Sequence, residues 1–255
     1  MIRSFYTAVS GMVVQEAKQD VITNNLANVN TVGFKQDNLK TTTFDDVLLQ
    51  NYDKIVNGKN VKNVIGSISF GSKIDSVNTG FTQGTIESTG VPTDFAIDGK
   101  GFFTVRRQDG SEFYTRDGHF HVNTAGLLVD DQGNDVIGRN TQTGALGTIN
   151  VGNGDITSDP YGNISINGTQ KYKFYTVDFN NYNTLTKVGD NLYTGQNAVE
   201  TNAVVTQKSL EKSNVNLVSV MSDLITTMRT FETNQKAVQS IDETLDKLVN
   251  EVGKV

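Results

Sequence analysis

Apolar positions follow two different rhythms along this chain. From Leu217 a 4-3 spacing visits Met221, Leu224, Met228, Phe231, Gln235, Val238, Asp242, Leu245, Val249 and Val252, and nine of these eleven positions are apolar. A 4-3 repeat has a period of 3.5, the seam of a coiled coil. Val218, Ile225, Ile241, Leu248 and Val255 widen the seam beyond what a two-stranded coil needs, so more than one neighbouring helix is expected. Gln235 and Asp242 interrupt it, either fixing register or marking local exposure. Thr226, Thr227, Thr230 and Thr233 lower helix propensity, so packing must supply the stability. A weaker version opens the chain. Ile2, Phe5, Val9 and Met12 keep the spacing, it lapses at Glu16 and Gln19, and it returns at Leu26 and Val29. This predicts a helix from about Ser4 to Asn28, stopped before Gly33. Such helices either pair within one monomer or pair with each other and with copies of themselves. The width of the C-terminal seam favours the second arrangement.

Between the ends the rhythm is that of strands and turns. Phe95, Ile97, Phe103 and Val105 flank Asp98-Gly-Lys-Gly101, which fits a two-strand unit closed by glycine. Phe113 to Val122 leads through Asn123-Thr-Ala-Gly126 into Leu127-Leu-Val129, and Asp130 to Asn134 turns into Val136-Ile137. Asp159-Pro-Tyr-Gly162 separates Ile156 from Ile164 and Ile166, and Lys171 to Asp178 forms a further strand. Many short strands without α/β alternation predict antiparallel sheets in a sandwich or irregular barrel. Phe44 to Leu49 fits a helical turn or a short strand. Asn51 to Asn63, rich in Asn and Lys, reads as a mobile loop.

Composition sharpens this division. Of 24 glycines, 22 lie between Gly33 and Gly195, and 18 of 21 aromatics lie in the same stretch. The fold class is therefore α+β and discontinuous. Long N- and C-terminal helices form a coiled-coil region from residues 1–35 with 205–255, an extended arm or linker covers 36–84, and a mostly antiparallel β-domain covers 85–204. With no cysteine, disulfides and thiolate sites are excluded. A net charge of -6 argues against a nucleic-acid-binding face, which needs a basic surplus. No apolar run reaches the roughly 20 residues of a membrane span, so no membrane insertion is expected. The first residues lack a sustained apolar stretch and a cleavage site, so no cleaved signal peptide is expected.

Catalytic chemistry finds little support. His119 and His121 share one face of a strand and could grip a metal, but a surface pair fits better. Asp98-Gly-Lys-Gly101 lacks the P-loop spacing, and Asp130, Asp131 and Asp135 lack the glycine offset and distant Glu of a calcium loop. No serine sits in a nucleophile elbow. No catalytic, cofactor or metal site is expected, and the chain is not expected to be an enzyme.

Asn24-Asn-Leu-Ala-Asn-Val-Asn-Thr-Val-Gly-Phe-Lys35 resembles the N-terminal signature of flagellar basal-body rod and hook proteins. Asp94-Phe-Ala-Ile-Asp-Gly-Lys-Gly-Phe-Phe-Thr-Val105 is similar to their central segment, continued by Tyr114-Thr-Arg-Asp-Gly-His-Phe120, Gly126-Leu-Leu-Val129 and Gly138. Ser213-Asn-Val-Asn216 before the heptad helix resembles their C-terminal segment. The motif residues are Asn24, Asn25, Leu26, Asn28, Asn30, Gly33 and Phe34. The resemblance implies a structural subunit of the bacterial flagellum. Such a subunit is exported unfolded through the flagellar export apparatus, without a cleaved signal, into the basal body. It stacks helically with copies of itself and with neighbouring rod and hook subunits, forming part of the drive shaft from motor to hook. The length suits a rod protein better than a hook protein. Phe5, Val9, Met12, Leu26, Leu217, Met221, Leu224, Met228, Phe231, Val238 and Leu245 are the expected assembly interface. A secreted β-rich adhesin or carbohydrate-binding module, using Tyr172, Tyr175 and Tyr182, is the competing reading. It leaves the terminal heptads unexplained.

Overall fold

The computed structural model describes residues 2–56 and 59–252. Val255 of the expected seam lies outside them. The chain divides into two compact units. One comprises Met1–Leu26, Asp37–Asn78 and Leu217–Val255; the other comprises Ala27–Gln36 and Thr79–Asn216.

The first unit carries both helices. Helix α1 spans Ile2–Ala27 and helix α2 spans Leu217–Lys247, followed by a π-helical turn over Leu248–Val252. Both form where the 3.5-residue rhythm places them. Strand Asp37–Thr43 pairs with strand Ser72–Thr79, and strand Val47–Val56 pairs with strand Lys59–Ile68 as a long antiparallel hairpin. Residues 51–56 and 59–63 are thus strand, not the mobile loop expected from their Asn and Lys content. The register explains the difference. Gln50 faces Val64 and Ile55 faces Asn60, so β-branched residues recur along both arms between the lysines and asparagines.

The second unit is the β-domain. Its largest sheet runs in the order Ile156–Ser158, Asn163–Ile166, Thr169–Phe174, Asp135–Asn140, Phe102–Arg106, Glu112–Thr115, Leu192–Thr194 and Thr186–Gly189. Neighbours along this path are antiparallel. The turn at Asp159-Pro-Tyr-Gly162 joins Ile156 to Ile166 in register, as its residues predict. The two-strand unit expected around Asp98–Gly101 does not form. Strand Phe95–Asp98 pairs with Val204–Gln207, Ile97 opposite Val205, while strand Phe102–Arg106 pairs with Glu112–Thr115, Asp135–Asn140 and Thr176–Asp178. Gly99 and Gly101, at φ 100° and 130°, take the chain from one sheet to the other rather than closing a hairpin. Periodicity could not reveal a partner a hundred residues downstream.

Strand Phe102–Arg106 also shows why two phenylalanines stand together. Successive side chains of a strand point to opposite faces. Phe103 enters a core with Phe95, Phe120 and Phe174, while Phe102 enters a second core with Val177, Phe179 and Tyr193. The rings meet edge to face, Phe95 to Phe174 at 4.7 Å and Phe103 to Phe120 at 5.3 Å between centroids. That arrangement suits the aromatic quadrupole. With both faces covered, this strand reads as a run of buried residues without alternation.

Candidate functional site: apolar helix faces and a buried polar junction

Within the helical unit, the most enclosed line along α2 runs through Val220, Leu224, Thr227, Phe231, Asn234, Val238, Ile241 and Leu245. Val220 and Thr227 are buried, and the others are half-buried. The line keeps the 4-3 spacing but includes Thr227 and Asn234, which apolar counting overlooks. Asn234 lies against α1 at Gly11, where a Cβ would come within 3.0 Å of its Nδ2. Four expected interface residues, Leu224, Phe231, Val238 and Leu245, lie on this line. Leu217, Met221 and Met228 lie beside it, 45–50 % exposed, next to exposed Val218 and Ile225. The wide seam therefore splits into an enclosed line and an open flank.

On α1, Phe5, Val9, Met12 and Leu26 are half-buried, while Val14 and Ile22 are buried. The Arg3 guanidinium sits 5.1 Å from the Phe70 ring centroid, and Ser10 Oγ accepts from the Ser72 N–H at 3.4 Å. The Asn25 side chain holds the Asp37 peptide from both sides. It donates to the Asp37 carbonyl at 2.7 Å and accepts from its N–H at 2.9 Å, like a strand neighbour. Asn24 is exposed. The hairpin adds exposed apolar residues, among them Leu48, Ile55 and Ile65.

In the β-unit the signature ends in a turn and a junction. Asn28 accepts from the Thr31 hydroxyl at 3.1 Å and from its N–H through the main chain, closing the turn after α1; Asn30 is exposed. Gly33 adopts φ 67°, and a Cβ there would lie 2.5 Å from the Asp117 nitrogen. Its N–H donates to the Glu211 carbonyl at 2.8 Å. Phe34 is buried, with the Lys187 ammonium 4.1 Å from its ring centroid. Lys35, fully buried, donates to Glu211 Oε1 at 2.5 Å and to the Thr82 carbonyl at 2.8 Å. Arg116 reaches Glu211 Oε2 at 3.2 Å and the Gly99 carbonyl at 2.7 Å, its guanidinium lying 5.3 Å from the Phe102 ring centroid. The Gly84 N–H adds a third donor to the same carboxylate at 2.8 Å. Nearby, the Asn214 side chain accepts from Gln36 N–H and donates to the Gly80 and Thr82 carbonyls. Asn191 donates to the Val32 carbonyl at 2.9 Å. Burial lowers the Lys35 pKa, with Glu211 opposing and Arg116 reinforcing the shift.

The signature and central motifs contain Lys35 and Arg116, but no spacing rule joins them to Glu211. Glu211 stands outside any quoted motif, and a single carboxylate in a strand gives no signal of its own. The histidines meet Asp131: His119 Nδ1 lies 3.0 Å and His121 Nδ1 3.9 Å from Oδ1. Burial pulls the His119 pKa down, but Asp131, Asp94 and Asp117 outweigh it and the net shift is upward. Among the described residues no group of three or more His, Asp or Glu is arranged to hold a metal ion. Tyr172 packs on the larger core, and Tyr175 and Tyr182 pack on the smaller one, so the tyrosines offered for an adhesin are partly used inside. No described helix is long and apolar enough to cross a membrane.

Three family descriptions match this chain in order. Residues 5–35 match the flagella basal body rod protein family, 96–171 the flagellar hook protein FlgE/F/G D1 domain, and 206–251 the flagellar basal body rod FlgEFG protein C-terminal family. Lys35, Arg116 and Glu211 fall one in each segment. The chain is similar to flagellar basal-body rod protein FlgG of Bacillus subtilis strain 168, at 33% identity over 98% of this chain and 99% of the relative. It is also similar to FlgG of Agrobacterium fabrum strain C58, at 34% identity over 95% and 96%. Flagellar basal-body rod protein FlgF of Caulobacter vibrioides, 33% identical, is covered completely, as is this chain.

Two outcomes follow from the junction's geometry. Gly33→Ala should destabilise the β-unit by about 2 kcal/mol or more, because a left-handed residue must also push into the Asp117 backbone; an unchanged urea midpoint would contradict this. Burial, aided by Asp131, raises the Asp117 pKa to about 6. The folded state then holds a proton that the unfolded chain releases near pH 3.8. The stability this contributes is fully present below that pH and is lost as pH rises through about 6. Asp117→Asn should flatten the fall in urea stability between pH 4 and 6; an unaltered slope would contradict the assignment.

Proposed function

The chain belongs to the flagellar basal-body rod family, as a structural subunit of the rod, and from that premise we propose how it is built into the rod. Its terminal helices are the assembly elements. The observation that carries this reading is the divided seam of α2: one line enclosed, and a flank of Leu217, Val218, Met221, Ile225 and Met228 left open. Contiguous apolar surface on a helix needs a partner in water. Helices of neighbouring subunits, packed knobs-into-holes, would bury that flank and complete a coiled-coil layer. Copies of this chain and adjacent rod and hook subunits are the partners, and helical stacking makes the rod part of the shaft between motor and hook. Heterologous contacts repeated by rotation and rise give such an open helical assembly.

The remaining parts fit this use. The unit of residues 1–26, 37–78 and 217–255, its exposed hairpin included, is the assembly region, and residues 27–36 with 79–216 are the β-domain. The subunit reaches the basal body through the flagellar export apparatus without a cleaved signal. Exchange of a partly open helix pair for a fully buried one couples ordering to assembly.

Met221→Asp and Met228→Asp test the reading, since both side chains are about half exposed in the single subunit. Each variant should keep a wild-type circular dichroism spectrum and thermal midpoint. Each should abolish incorporation into purified basal bodies, and with it swimming in soft agar. Normal rods and motility in both variants would show that the open flank is not an assembly surface.

A further inference from the structure

Glu211 is buried with no exposed side-chain surface, and it faces two buried cations, Lys35 and Arg116. One carboxylate thus stands between two positive groups and offsets their mutual repulsion. Without it, folding the β-unit would bury two like charges side by side; each desolvated ion already carries a penalty of several kcal/mol, and their repulsion adds to it. The acid comes late in the chain. It follows Lys35 by 176 residues and Arg116 by 95. It arrives on strand Ser209–Glu211, which pairs with Ile86–Ser88, just after strand Val204–Gln207 covers Phe95–Asp98. We propose that Lys35, Arg116 and Glu211 form a charge latch that makes folding of the whole β-unit conditional on the segment around residue 211. A chain delivered N-terminus first holds both cations before their acid, so its centre stays open until the C-terminal segment docks. The latch stands on the junction's geometry alone; its benefit to a subunit exported unfolded rests on the function proposed above.

The latch differs from an ordinary local contact in its reach and in its cause. Glu211→Gln, made in the full chain, keeps the shape but removes the charge and leaves one acceptor oxygen for the Lys35, Gly84 and Arg116 donors. Amide exchange should then accelerate at least 100-fold throughout residues 95–178, including strands Phe102–Arg106 and Asp135–Asn140, which lie far along the chain from residue 211. Adding Lys35→Met, which removes one of the two cations, should recover at least tenfold of that protection. If Glu211→Gln leaves the β-unit without stable structure, the same rescue decides: protection returning in the Lys35→Met/Glu211→Gln chain supports the latch, and none returning overturns it. Faster exchange confined to residues 86–88 and 204–216 would also overturn it.

Discussion

One buried carboxylate organises the β-unit. Glu211 binds Lys35, Arg116 and the Gly84 N–H, and its own carbonyl receives the Gly33 N–H. Three chain segments far apart in sequence thereby meet at one residue of a fourth. Breaking a buried ion cluster by removing one partner is costly because the others remain desolvated. The surroundings are shaped to keep it satisfied. Gly33 turns left-handed against the Asp117 backbone, Gly84 lets the Lys212 carbonyl approach closely, and Asn214 binds the Gln36, Gly80 and Thr82 main chain beside it. The end of the family signature, Gly33 to Lys35, thus serves as a closure for the β-unit.

Chemistry of the opposite kind governs the helical unit. There, among the described residues, no buried charge fixes the arrangement. Apolar residues of α1 and α2 are partly enclosed, and much of the apolar surface stays open on the α2 flank and the hairpin. A unit so built gains from neighbours what it lacks alone. In the proposed assembly the two units would divide the labour of a structural subunit, one closed by polar complementarity and one completed by its neighbours.

Sequence pattern revealed one unit better than the other. The 3.5-residue rhythm located both helices, since period is a local property. It did not identify which flank of α2 would be enclosed, because Thr227 and Asn234 occupy that line and carry no apolar signal. Turns bearing Gly, Asp and Asn located many strand ends, as at Asp159–Gly162. Strand partners were another matter: Phe95–Asp98 pairs across more than a hundred residues, which no local rhythm encodes. The hairpin at 47–68 was hidden by its lysines and asparagines, whose alternation with Ile55, Val61 and Val64 outweighed composition. The junction was legible only as motif membership for Lys35 and Arg116. The role of Glu211 emerges only once the chain is folded.

Assembly through the open flank of α2 requires that flank to be covered in the rod, and the absence of cysteine from the chain allows a direct measurement. Val218, 78 % exposed, can be replaced by a single reactive thiol. In Val218→Cys subunits, a maleimide should label the isolated protein rapidly and label intact purified basal bodies at least tenfold more slowly. Equal labelling rates in subunit and rod would contradict burial of this flank by neighbouring subunits.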